Sequence, residues 1–193
     1  MPEYKSILGI LSVLLAFVAY GVYFKQIFSG KIKPHAFSWF VWALTTAIIF
    51  FGQLVKGAGA GAWATGAISL ACLIVFILAL FRGHRGIVFW DWVFLISALV
   101  GLMLWWFTKD PTLSLILISF TDAAAVSPTI RKTYNKPFEE SFTLFSLNAV
   151  RSIISVFAFQ SYTFATVLYP AKGVLFNALI ALVILVRRRQ LPQ

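Results

Sequence analysis

Pro128-Thr129-Ile130-Arg131-Lys132-Thr133-Tyr134-Asn135-Lys136-Pro137-Phe138-Glu139-Glu140-Ser141-Phe142 leaves one apolar run, turns through a basic loop and enters another. A diluted copy stands earlier in the chain, Lys25-Gln26-Ile27-Phe28-Ser29-Gly30-Lys31-Ile32-Lys33-Pro34-His35-Ala36-Phe37-Ser38-Trp39. At one fixed offset, without a gap, Ile27 meets Ile130, Lys33 meets Lys136, Pro34 meets Pro137 and Ser38 meets Ser141. Trp39 meets Phe142 just beyond. An internal duplication accounts for this register better than coincidence does.

Composition decides the solvent. Of 193 residues, 61% are hydrophobic and only 11% are charged, less than half the share in a soluble domain. No soluble core of this size hides so much apolar surface. The single cysteine, Cys72, lies in an apolar run, which leaves neither an internal disulfide nor a Cys-based metal site. The net charge of +10 would suit nucleic acid. Here the basic residues fall in short loops between apolar runs, as membrane topology demands, so nucleic acid is not an expected partner. The first apolar run is too long for a signal peptide, and no small-residue cleavage site follows it.

A helix needs about 20 apolar residues to cross a hydrocarbon core. Seven runs qualify, near residues 6–27, 35–54, 60–81, 87–107, 112–130, 138–159 and 164–186. Inside a bilayer each backbone must satisfy its own hydrogen bonds, so helices are expected throughout. Lys25, Lys31, Lys33, Arg82, Arg85, Arg131, Lys132, Lys136 and the Arg187-Arg188-Arg189 tail fall on one side, against Lys5, Lys56 and Lys109 on the other. That asymmetry places the N-terminus outside and the C-terminus in the cytoplasm of a multi-pass protein, most simply in a plasma (inner) membrane. The two copies begin four helices apart, and an even number of crossings makes them parallel. The expected fold is an all-α integral membrane protein with seven transmembrane helices arranged 3+1+3. Residues 1–83 form the first three-helix repeat, 84–110 the linker helix, and 111–193 the second repeat with its basic tail.

The two copies resemble the PQ-loop superfamily, which includes the SWEET sugar transporters and lysosomal amino-acid exporters. The family motif reads roughly Pro-Gln-Ile, a basic stretch, Lys-Ser, then Gly-Leu-Ser. Pro128-Thr129-Ile130-Arg131-Lys132-Thr133-Tyr134 through Lys136 to Ser141 looks like it, and Gln26-Ile27 through Lys33 to Ser38 looks like it more weakly. The first copy has Lys25 where the motif has proline, and the second has Thr129 where it has glutamine. The resemblance implies a transporter moving a small polar solute, such as a sugar or amino acid, by alternating access between two three-helix halves. In SWEET transporters parallel repeats hold the site between them near the midplane. Gln26 and Pro128 are then the hinge positions. Proline removes a backbone donor and disturbs the preceding turn, which in a membrane helix makes either a hinge or a static kink. Pro34 and Pro137 open helices, where proline is comfortable.

Ionisable residues within the bilayer are costly and usually face a cavity or a partner. Asp122, Arg151 and Lys172 lie deep in their runs. Asp122 and Arg151 stand at similar depth on runs joined by one short loop, so they are expected to meet as an ion pair. Lys172 lies nearer the outer surface and is expected to snorkel. Asn148 shares a helix face with Arg151, and Asn177 lies in the last run, where SWEET transporters resemble this chain in carrying an asparagine. Its counterpart in the third run is roughly Cys72. Trp39, Trp42 and Trp63 are candidates for stacking on a solute. His35 and His84 lie far apart in sequence, which argues against a metal site. No cofactor is called for, and no nucleophile–base constellation marks an enzyme. Protons and a second copy of the chain stay open as partners. Two other readings stay open as well. A receptor on the same fold would bind a peptide terminus at Arg151 and Lys172 without transport, and a retinal protein would use Lys172 as its Schiff base.

Overall fold

Each apolar run closes as a helix where glycine, proline or a capping side chain allows it. The structure, a computed structural model, describes residues 3–108 and 111–191. These form seven α-helices: α1 (Glu3–Phe28), α2 (Ala36–Val55), α3 (Trp63–Arg82), α4 (Phe89–Phe107), α5 (Pro111–Asn135), α6 (Phe142–Ala158) and α7 (Phe164–Gln190). Single 3-10 turns at Gly59–Ala62 and Pro137–Glu139 precede α3 and α6. Ser141 caps α6 by accepting from the Leu144 N–H, and Thr163 with Thr166 forms a reciprocal capping box on α7.

Among the described residues, four segments are long and apolar enough to cross a membrane: Glu3–Phe28, Ala36–Val55, Gly59–Arg82 and Thr166–Gln190. Phe89–Leu104 and Phe142–Ala158 are apolar but shorter. The molecule is all-helical with several apolar helices, as a membrane protein requires. Large apolar side chains, including Phe17, Leu70, Phe120, Phe157 and Leu175, stand exposed around the outside. A soluble protein seldom leaves so many uncovered.

One difference between the two loop segments has a local reason. Gly30 takes φ +73° just after α1 ends, a left-handed turn that glycine adopts without strain. The matching position in the second copy is Thr133, so α5 runs on to Asn135 and past the expected boundary near 130. Arg131 and Lys132 therefore ride on the last turns of a helix, where positive charge is favoured.

α3 packs against both α1 and α2, and α7 packs against both α5 and α6. The two trios meet along α1 with α6 and along α2 with α5. α4 packs on α5 and reaches α2. Lipid tails are as apolar as leucine, so close approach and polar contacts must hold such helices together. At one end, a Cβ on Gly9 would stand 2.7 Å from the Ala60 Cβ and 2.9 Å from its carbonyl oxygen. Gly61 lies against the Phe159 ring there, Ser155 donates to the Gly61 carbonyl at 3.1 Å, and Lys5 donates to the Phe159 carbonyl at 2.6 Å.

The opposite end gathers the basic loops. The Lys33 N–H donates to the Glu139 carbonyl at 3.2 Å, and the His84 N–H donates to the Pro34 carbonyl at 2.9 Å. Both copies of the motif thus lie at one face and touch. Arg187 and Arg188 join them, donating to the carbonyls of Tyr134, Pro137 and Glu140. Lys109, assigned by sequence to the other side, lies outside the described residues.

Candidate functional site: a charged cavity between the helices

Between the two trios lies a cavity of about 70 Å³. Trp42, Asp122, Asn148, Arg151 and Asn177 all line it, as do Trp39, Cys72 and Lys172. Since a single water needs about 10–15 Å³ by such a measure, the space holds about five waters. A sugar-sized solute does not fit while the halves stand this close.

Trp63 is not among the lining residues. It opens α3 at the far end and is 43% exposed, directed away from the cavity its neighbours form. The two other tryptophans meet edge to face, Trp39 on Trp42 with ring centroids 5.1 Å apart, and Trp39 is fully buried.

The expected Asp122–Arg151 pair does not form. Lys172 takes the carboxylate instead, with its Nζ 2.5 Å from Asp122 Oδ2. This is an ion contact without hydrogen-bond alignment, and each side chain is 9% exposed. Lys172 therefore does not snorkel to the outer surface. α7 packs against both α5 and α6, so a lysine on α7 reaches the α5 carboxylate. Thr45 of α2 donates to Asp122 Oδ1 at 2.7 Å, and the Tyr169 ring lies 4.9 Å from the lysine Nζ. Arg151 is held by uncharged groups: its Nε donates to Asn148 Oδ1 at 3.3 Å and its Nη2 to Ser152 Oγ at 3.1 Å. A Cβ on Gly173 would stand 2.8 Å from that Ser152 hydroxyl, so glycine lets α7 close over it.

The offset that pairs Ile27 with Ile130 carries into this site. It matches Trp42 with Phe145, and both line the cavity. It matches Thr45 with Asn148, and each of these holds one charge, Asp122 and Arg151 respectively. Thr45, Tyr169 and Lys172's inward reach were not read from the sequence. Two signals were available: Thr45 stands one turn from Trp42, and Tyr169 one turn from Lys172, each on the same helix face.

The hinge candidates lie toward the loop face. Pro128 lies inside the continuous helix α5, and its missing N–H leaves the Ala124 carbonyl without the usual helical donor. Thr129, the next residue, donates to Ser38 of the other copy at 3.0 Å. Gln26, in the last turn of α1, keeps its side-chain oxygen buried without a hydrogen bond among the described residues. Pro170 is a second proline inside a helix, two residues before Lys172.

The loop face is closed by a buried lattice. Lys132, with no exposed side-chain surface, reaches Glu140 Oε2 at 2.5 Å and donates to the carbonyls of Lys33 and Glu139. Tyr23 donates to Glu140 Oε1 at 3.0 Å. His35 and His84, distant in sequence, come together with ring centroids 6.2 Å apart. Among the described residues no cluster fit for a metal forms around them. His35 Nε2 lies 3.3 Å from Asp91 Oδ2, which Arg131 also binds. Burial pulls the His35 imidazole down to about 4, and the Asp91 carboxylate only partly offsets it. Burial also lowers His84, with Lys132 adding to the effect. Burial alone would raise the Glu139 carboxyl, but Lys33 and Lys136 outweigh it and hold it below its usual range.

The chain matches no family profile, no characterised protein and no solved structure.

Proposed function

We propose that this chain is a seven-helix membrane transporter of the PQ-loop type, moving a small polar solute by alternating access. In this reading α1–α3 and α5–α7 are two parallel three-helix repeats, α4 is the linker, and the solute site is the cavity between them. The observation that carries the reading is the placement of Asp122, Lys172 and Arg151 in one cavity at the junction of the two trios. Buried charges of that kind mark solute or ion pathways in membrane proteins. The matched pairs Trp42 with Phe145 and Thr45 with Asn148 support a site built twice from one duplicated unit.

The two ends of the cavity are closed by different means. The loop face is held by ion pairs and hydrogen bonds around Lys132 and Glu140. The far end is held by close packing of Gly9 on Ala60 and of Gly61 on Phe159. A solute enters when one closure parts while the other holds, with Pro128 and Gln26 as the flexing positions. In this reading the basic loop face lies in the cytoplasm and the start of α1 outside, as the charge asymmetry favours, and the membrane is taken to be a plasma membrane.

Reconstitution into liposomes tests the proposal. Saturable uptake of one class among labelled sugars, amino acids and small carboxylates, absent from empty liposomes, supports it. Binding of a solute with no flux of that solute would replace it with the receptor reading.

A further inference from the structure

Three charged residues line the cavity, Asp122, Lys172 and Arg151, and among the described residues Arg151 has no counter-ion. Asp91 holds Arg131, Glu139 holds Lys33, Glu140 holds Lys132 and Asp122 holds Lys172. Glu3 stands in the first turn of α1. Among the described residues no carboxylate lies within ion-pair distance of Arg151, and the residue is 5% exposed. Asn148 and Ser152 supply two neutral acceptors. Of the five N–H donors of a guanidinium, the pair on Nη1 finds no protein partner among the described residues. With Asp122 and Lys172 cancelling, the cavity carries one net positive charge. A buried cation without a counter-charge is strongly unfavourable, so an anion arriving from outside would be favoured on the free side of Arg151.

We propose that the solute is a short-chain monocarboxylate, bound through its carboxylate on the free side of the Arg151 guanidinium. This rests on the transporter reading and gives its solute a chemical class. One negative charge neutralises the cavity, whereas a phosphate dianion would reverse its sign. The guanidinium fork matches a planar carboxylate through two parallel N–H···O bonds. The cavity, at about 70 Å³, suits a solute of about five or six heavy atoms on the scale of about five waters. Trp42, Phe145 and Phe176 wall the same space and suit a short aliphatic tail. Asn177 sits among them, with its amide nitrogen donating to the Gly173 carbonyl at 2.7 Å, which leaves its oxygen as an acceptor for a hydroxyl on the solute.

Thermal unfolding of the purified full-length protein, with sodium lactate titrated against lactamide, glucose and inorganic phosphate at matched ionic strength, tests this. Lactate stabilises in a saturable manner, and the neutral lactamide and the sugar do not. Arg151→Gln raises the concentration needed about tenfold or more, since it removes one partner of a buried charge pair. Arg151→Lys keeps the charge but loses the fork, so it too weakens lactate binding, and it carries the test should Arg151→Gln fail to fold. Equal stabilisation by lactamide overturns the proposal, as does a stronger effect of phosphate or an unchanged lactate effect in Arg151→Lys. Liposome flux separates the two readings. Lactate binding without flux removes the transporter and keeps the anion site, whereas flux of glucose unaffected by Arg151→Lys keeps the transporter and removes the anion.

Discussion

Lys172 of α7 places its ammonium 2.5 Å from the Asp122 carboxylate of α5, with each side chain 9% exposed. This contact ties two helices of one trio at mid-depth, while Thr45 of α2 ties the same carboxylate to the other trio. Asp122 is therefore a junction between the halves, and Arg151 stands apart from it as the unbalanced charge.

Removing one member of that pair strands the other charge in a buried site. Asp122→Asn and Lys172→Met should each destabilise the fold by about 3–5 kcal/mol. The double variant should lose less than the sum, because no stranded charge remains. A double-mutant cycle read by thermal unfolding checks this, and strictly additive losses would dissolve the pair.

Close packing at the far end predicts a steric effect. Gly9→Ala sets a methyl group against the Ala60 Cβ and carbonyl. The backbone carbonyl has no flexible end to swing away, so overpacking should cost about 1–3 kcal/mol. Gly21→Ala, where nothing lies within 4 Å of the added Cβ, is the control and should leave the melting temperature unchanged or slightly raised.

The loop face should make the protein acid-labile. The folded imidazole of His35 titrates at about 4, against about 6.5 in an unfolded chain. Between those values the unfolded chain binds more protons, so stability falls as pH drops from about 6.5 toward 4, by on the order of 3 kcal/mol. His84, also lowered, acts with the same sign. Glu139, held below its usual range, contributes stability that is lost as pH falls through its folded value. Melting curves between pH 4 and 7 should show this slope, and His35→Gln should reduce it without abolishing it. An unchanged slope would remove His35 from the account.

The Lys132–Glu140 contact predicts how the loop face opens. Lys132→Met leaves Glu140 buried without its cation and removes the ties to the Lys33 and Glu139 carbonyls. The loop face should part more readily, and hydrogen exchange at Lys33, Glu139 and Ser141 should quicken several-fold. Unaltered exchange there would make the lattice a passive surface feature.

Much of this was legible in the chain itself. Apolar runs and their breakers gave the seven helices, and the Lys33-Pro34 and Lys136-Pro137 repeat placed both basic loops at one face. Five of the six proposed binding residues line one cavity because helix periodicity carries buried polar residues to the same interior. The ion pairing was not legible. Depth along a helix can be counted, but which of two cations reaches Asp122 depends on which helix lies beside α5. Trp63 shows the same limit, since a residue at the first turn of a helix has no periodicity behind it to fix its direction. The two histidines met because loops 29–35 and 83–88 fold against each other, a contact that sequence separation conceals.

Cys72 tests the central claim most directly. It is the chain's only cysteine, it lines the cavity, and it is 2% exposed. An impermeant anionic methanethiosulfonate, applied to right-side-out and to inverted vesicles, asks which face the cavity opens toward. Alternating access predicts slow modification from both sides, with lactate slowing each. Modification from one side only, or from neither, would contradict it.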